Sequence, residues 1–114
     1  MTDCLFCKIA ERKIPSKIVY EDSDLVAFED INPAAPVHIL IVPKKHILSL
    51  NALGDSDKDI IGKLFLAAKT LAMQKGIAES GYRTVFNTNK NAGMAVDHLH
   101  LHLLGGREFG WPPG

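Results

Sequence analysis

Apolar residues return along this chain at two different periods. Ile60, Ile61, Leu64, Phe65, Ala68, Leu71 and Ala72 recur at three-to-four spacing as far as Met73, the repeat of one helical face. Asp55 or Ser56 is the expected N-cap and Gly76 the stop, so the pattern predicts one long amphipathic helix. Elsewhere the period is two or the run is solidly apolar. Ile18 to Tyr20 and Leu25 to Phe28 flank the acidic turn Glu21, Asp22, Ser23, Asp24, which predicts an antiparallel hairpin. His38 to Val42 is nearly continuously apolar, as a central strand should be, and Pro43 ends it. Tyr82 to Phe86 predicts another strand and Asn87 to Gly93 a polar loop. His98 to Leu104 alternates strictly before the Gly105-Gly106 break, predicting a last strand. A short helix, strands, a long helix and further strands give an α+β class, with one long and one short helix covering an antiparallel sheet.

Composition narrows the function more than the fold. The 114 residues, 46% of them hydrophobic, are enough for one packed domain spanning 1–114. Thirteen basic side chains balance thirteen acidic ones, leaving no broad field for a nucleic acid backbone or an anionic membrane, so a small ligand is the better expectation. Met1 to Cys7 lacks the cationic start and apolar stretch of a signal peptide, and no run approaches the roughly 18 apolar residues of a membrane span. A cytoplasmic location is therefore expected. Cys4 and Cys7 are too few and too close to staple a secreted fold, and a reducing compartment would keep them as thiols or metal ligands.

The alternation His98-Leu99-His100-Leu101-His102-Leu103 sends three imidazoles to one side of the predicted strand and three leucines to the other. Neighbouring histidines on that side are about 6.6 Å apart along the backbone, so one phosphate can touch two of them. Three readings stand side by side: a solvated strand face, a His-x-His pair of zinc ligands, or a neutral imidazole acting as a nucleophile towards phosphorus, its tautomer fixed by neighbouring rings.

His98-Leu99-His100-Leu101-His102-Leu103-Leu104 resembles the motif of the histidine-triad (HIT) superfamily, and nearly the whole chain is similar to its Hint branch. Glu29-Asp30-Ile31-Asn32-Pro33, Pro36-Val37-His38 and Val42-Pro43-Lys44-Lys45-His46 follow that branch in order and spacing. So do Leu104-Gly105-Gly106-Arg107 and the ending Gly110-Trp111-Pro112-Pro113-Gly114. The resemblance implies a hydrolase of purine nucleoside phosphoramidates, or of aminoacyl-adenylate-like species, working through a nucleotidyl-histidine on His100. Dinucleoside polyphosphate hydrolysis or nucleotidyl transfer is the alternative within the superfamily, and a non-catalytic nucleotide-binding or interaction module is a second functional class.

By the same resemblance His102 contacts the α-phosphate, while His38 joins the hydrogen-bonded chain that sets the tautomer of His100, with His98 completing the catalytic group. Asp30 corresponds to the ribose-binding carboxylate. Phe6, Ile9, Ile14, Phe28 and Ile31 correspond to the positions that sandwich the base, with Leu5 adjoining, and Asn87 to an amide at the phosphate. The loop Gly93-Met94-Ala95 departs from the family's Gly, Gln, then Ser or Thr, so an amide and a hydroxyl near the leaving group are missing, and Asp97 replaces an apolar or aromatic residue. The resemblance further implies that catalysis requires no cofactor. Cys4 and Cys7 on their own leave free thiols or a shared zinc ion open, and the resemblance completes a Cys₂His₂ structural zinc site with His46 and His98. It also implies a homodimer joined through a continuous sheet, with Trp111 near the partner's site.

Overall fold

The computed structural model describes residues 4–114. Its elements are α1 (Leu5–Ala10), β1 (Ile18–Glu21), β2 (Leu25–Glu29), β3 (Val37–Pro43), α2 (Lys58–Gln74), β4 (Tyr82–Val85) and β5 (Leu101–Gly105), with short 3₁₀ turns at Leu50–Ala52, Asp55–Asp57 and Lys90–Ala92. The five strands form one sheet in the order β1-β2-β3-β5-β4, every neighbouring pair antiparallel. No described helix is long and apolar enough to cross a membrane.

Both faces of the sheet centre are covered, which is why β3 reads as a solid apolar run. Leu25 and Ala27 of β2 and Ile39 and Ile41 of β3 meet Leu64, Ala68, Leu71 and Ala72 of α2 on one face. Val26, Phe28, Leu40 and Val42, the residues in between, meet Phe6 and Ile9 of α1 on the other. The leucines of the histidine segment obey the same rule: Leu99, Leu101 and Leu103 are buried in the α2 core, so the three imidazoles face the α1 side. Replacing one such leucine by alanine should cost about 2–5 kcal/mol of stability.

Three boundaries differ from expectation for identifiable reasons. β5 begins at Leu101, not His98. Continued past Ile41–Leu101, its register with β3 would set Pro43 opposite Leu99, and proline has no N–H to give to the ladder. The Leu99 amide donates instead to the Ile47 carbonyl at 2.6 Å. The long helix is not capped by an Asp55 or Ser56 side chain. A 3₁₀ turn over Asp55–Asp57 leads into it, with the Gly54 amide donating to Asp57 Oδ2 at 2.9 Å and Lys45 Nζ lying 2.6 Å from Oδ1. β4 ends at Val85, one residue short of Phe86. In the β1–β2 turn, Asp22 Oδ1 accepts from the Asp24 and Leu25 amides at 2.8 Å each, so the acidic turn is held by its own side chain.

Candidate active site

A cavity of about 350 Å³ opens between α1, the Glu29–Asn32 turn after β2 and the histidine segment. Leu5, Phe6, Ile9, Ile14, Phe28 and Ile31 supply its apolar walls, Asp30 stands at one side, and His100, His102 and Ala95 complete it. Phe6 is the central wall residue. Its ring meets Phe28 edge-to-face at 5.4 Å and His100 at 5.0 Å.

The remaining candidates lie outside this lining. His38 stands behind His102, and His98 is turned into a separate cluster. Gly93 and Met94 precede the wall residue Ala95 without joining it. Asn87 follows β4, and continuing the pairing of Val85 with His102 by two residues brings it level with His100. Six lining residues were not among the candidates: Pro15, Ser16, Leu40 and Val96, together with Glu29 and Asn32, which entered only as part of a motif. Only Leu40 carried a signal, since it shares a strand face with His38 and pairs with His102 across the ladder.

Backbone groups decide how the rings are protonated. His100 Nδ1 lies 2.6 Å from the His98 carbonyl oxygen. A carbonyl can only accept, so Nδ1 carries the hydrogen and Nε2 keeps its lone pair. The Ala34 amide donates to His38 Nδ1 at 3.0 Å, which puts the other hydrogen on His38 Nε2. That nitrogen lies 2.9 Å from His102 Nδ1, so His102 in turn carries its hydrogen on Nε2. His102 Nε2 is buried and has no hydrogen-bond partner among the described residues, a donor that an anionic oxygen reaching it from the cavity would satisfy. The expected link from His38 to His100 is therefore corrected: His38 orients His102, and a main-chain carbonyl fixes His100.

Burial dominates the charge state of all three rings. It lowers the pKa of His100 against the opposing effects of the His98 carbonyl and Asp30, and lowers that of His38 against Asp30. His102, surrounded by buried surface and then by the His100 and His38 rings, is pushed down to about 4. These imidazoles are neutral at pH 7, as a nucleophile and its neutral donor must be. Asp30 Oδ1 accepts from the Asn32 amide at 2.8 Å, and Oδ2 stands 3.4 Å from His38 Nε2.

Next to the cavity, Cys4, Cys7, His46 and His98 bring one donor atom each to within 4.8 Å of one another. His46 Nδ1 and His98 Nδ1 are 3.2 Å apart, and sulfur-to-nitrogen distances are 3.2 Å from Cys4 to His98, 3.4 Å from Cys7 to His46 and 3.6 Å from Cys7 to His98. A tetrahedral zinc ion would space two nitrogens by about 3.3 Å and a nitrogen from a sulfur by about 3.6 Å, so the donors fit that ion. His98 Nε2 lies 2.8 Å from the Pro43 carbonyl oxygen, so it carries the hydrogen and turns the Nδ1 lone pair on the cluster. Burial, then the adjacent Cys4, push the Cys7 thiol up to about 11, and a bound cation is what would hold it as thiolate.

Asp30, His38 and His102 also bring their donor atoms within 4.8 Å of one another. They do not make a comparable metal site. The Ala34 amide occupies His38 Nδ1 and keeps the proton on Nε2, the atom that would have to face the ion.

The HIT domain family matches residues 11–109. Among relatives, an uncharacterized HIT-like protein of Synechocystis is 49% identical over 98% of this chain and 97% of its own. The purine nucleoside phosphoramidase of Escherichia coli K12 is 46% identical over 95% of this chain and 91% of its own. A crystal structure of a HIT family hydrolase from Legionella pneumophila superposes with a TM-score of 0.96 at 52% identity, covering 98% of this chain and all of the other, 100%. A histidine triad protein from Clostridium difficile gives 0.94 at 44% identity, with 96% of each chain covered. With its family match, its ordered sequence blocks and its five-stranded sheet in agreement, the chain belongs to the HIT domain family.

Proposed function

We propose that the protein is a cytoplasmic nucleotide-binding hydrolase that cleaves purine nucleoside 5′-phosphoramidates and related aminoacyl-adenylates. The observation that carries this reading is the 2.6 Å contact from His100 Nδ1 to the His98 carbonyl, which leaves the Nε2 lone pair free beside a cavity of nucleotide size. The name of the Escherichia coli relative supports the substrate class.

In the first step His100 Nε2 attacks the α-phosphorus and forms a P–N bond, while the bond from phosphorus to the substrate amine breaks. The amine leaves with a proton from solvent, because Ala95 offers no hydroxyl. Water then attacks phosphorus, the P–N bond to His100 breaks, and AMP and free imidazole result. His102 Nε2–H donates to the phosphoryl oxygen as charge builds there. Asp30 accepts from the ribose hydroxyls, the apolar walls hold the base, and Asn87 and the Gly93–Ala95 segment border the phosphate and leaving group. Cys4, Cys7, His46 and His98 would hold zinc. That ion would supply structural cross-linking and no bond to substrate, because four protein donors leave no open position for it.

The reading includes a homodimer. β4 is an edge of the sheet, and beside it Phe65, packed edge-to-face on Phe86 at 5.8 Å, is still 43% exposed. A second copy pairing along this edge would cover both. Arg83 donates to the Gly110 carbonyl at 3.0 Å, tethering the tail to that same strand, and Trp111 just beyond is 84% exposed and free to reach a partner's cavity.

Ala95 at the cavity wall favours a second reading, a nucleotide-binding module without turnover. Initial rates on adenosine 5′-phosphoramidate and on a diadenosine polyphosphate separate these readings. The proposal expects kcat/KM to be at least about 100-fold higher for the phosphoramidate, a preference of some 2.7 kcal/mol. The reverse preference would make the protein a dinucleoside polyphosphate hydrolase. Tight AMP binding without turnover of either compound would make it a module.

A further inference from the structure

The geometry points to a second role for the Cys4, Cys7, His46 and His98 centre: its occupancy shapes the neighbouring nucleotide cavity, so that metal and nucleotide each strengthen the binding of the other. The inference rests on the nucleotide reading above and adds to it a coupling between two sites.

Three connections carry it. The first is α1, which is only six residues long and far too short to hold a helical position unaided. Cys4 caps it, its sulfur accepting from the Cys7 amide at 3.4 Å, so both thiols fix the helix at its start. The intervening Leu5 and Phe6, with Ile9 one turn on, form cavity wall. Moving the sulfurs moves the wall.

The second connection is His98. Its ring Nδ1 belongs to the centre, while its carbonyl oxygen receives the hydrogen of His100 Nδ1 at 2.6 Å. The residue precedes β5, so no sheet ladder fixes that carbonyl. Among the described residues it is held by the Leu99 amide bond to Ile47, the turn bond from the His98 amide to Val96, the burial of the Leu99 side chain under α2 and the ring contacts of His98. Occupancy of the centre therefore bears on the one acceptor that sets the His100 tautomer. The third connection is a common wall. An open cleft of about 420 Å³ reaches Cys4 and His46, and Leu5, Ala95 and Val96 line both it and the nucleotide cavity.

Ile47 and Leu99 of the larger core adjoin His46 and His98, but most of that core is built elsewhere. The larger core, with Leu64, Leu71, Leu101 and Leu103, lies on the opposite face of the sheet under α2. Loss of the metal should loosen α1 and the segment 95–100 and leave the sheet folded.

Coupling between two ligands is reciprocal, so it can be read from either side. The test uses the whole chain, stripped with a chelator and reloaded with zinc. Zinc affinity is measured by chelator competition with and without saturating AMP, and AMP affinity by calorimetry with and without zinc. The expected result is that each ligand tightens the other by about tenfold, with amide NMR shifts on zinc removal confined to the ligands Cys4 and His46 with their chain neighbours, α1 and residues 95–100. Equal AMP affinity with and without zinc would overturn the coupling and leave the nucleotide reading standing. Collapse of the stripped protein's spectrum would overturn it too, by making the centre a staple of the whole fold. Failure of the zinc-loaded protein to bind AMP would overturn the nucleotide reading itself, and failure to bind zinc would overturn the metal centre.

Discussion

His98 and His102 stand four residues apart on the same side of one extended segment, and their rings are connected in opposite senses. His98 gives its Nε2 hydrogen to a main-chain carbonyl and turns the Nδ1 lone pair on two cysteines and a histidine. His102 accepts at Nδ1 from His38, and its Nε2–H is buried beside the cavity without a partner among the described residues. One is arranged as a ligand and the other as a donor. The residue type and the strand alternation are the same for both, so the difference comes from the groups behind each ring: Pro43 O in one case, and the Ala34 amide acting through His38 in the other. Between them His100 has its tautomer set by a carbonyl and its Nε2 left free.

Substitutions on the two sides of His100 should separate these roles. His102→Ala removes a donor aimed at the charge that develops on phosphorus, and kcat/KM for adenosine 5′-phosphoramidate should fall by roughly 10²–10³-fold. AMP affinity should change far less, and zinc content should not change. A parallel loss of zinc would break the distinction between the two rings.

His38→Ala leaves the donor in place but frees its tautomer. A smaller loss is expected, about twofold in kcat/KM, since neutral His102 then divides its proton between two nitrogens. The ¹⁵N shifts of the His102 ring report that tautomer directly. A ring still protonated at Nε2 in the variant would show that His38 does not orient it.

The smallest effect is on titration. His102 is pushed down to about 4 from an ordinary value near 6.5, chiefly by burial, and His38 is displaced in the same direction. Between those two pH values the unfolded chain takes up protons that the folded chain refuses. Stability is therefore fully present above about pH 6.5 and falls as the pH drops towards 4. The urea midpoint should decline over that window while the His102 ring resonances stay fixed down to about pH 5. A His102 midpoint near 6.5 would contradict the buried, neutral ring.

Much of this arrangement was legible in the sequence, and for physical reasons. Period-two alternation assigned Leu99, Leu101 and Leu103 to one face and the histidines to the other, and the structure buries the leucines under α2. The resemblance collected Leu5, Phe6, Ile9, Ile14, Phe28 and Asp30, scattered over the first 30 positions, and the fold brings them to one cavity. The rest depended on main-chain groups, which a string of side chains does not display. The carbonyls of His98 and Pro43 and the amide of Ala34 decide which nitrogen of each ring is protonated. For the same reason His38 was assigned to the wrong neighbour. The start of β5 differs because alternation continues through Leu99, whereas ladder pairing fails opposite Pro43, two strands earlier in the chain. Asp57 was overlooked at the start of α2 because its carboxylate serves Gly54 behind it and Lys45 from a distant loop.

The claim on which the account turns is that His100 Nε2 bonds to phosphorus. Protein mixed with adenosine 5′-phosphoramidate, denatured within the first turnovers at alkaline pH where P–N bonds survive, can be digested and sequenced by mass spectrometry. An adenylyl group on the peptide holding His98, His100 and His102, fragmenting to His100 and missing from His100→Asn, is the predicted result. Undiminished hydrolysis by His100→Asn, or the adenylyl group on any other residue, would contradict it.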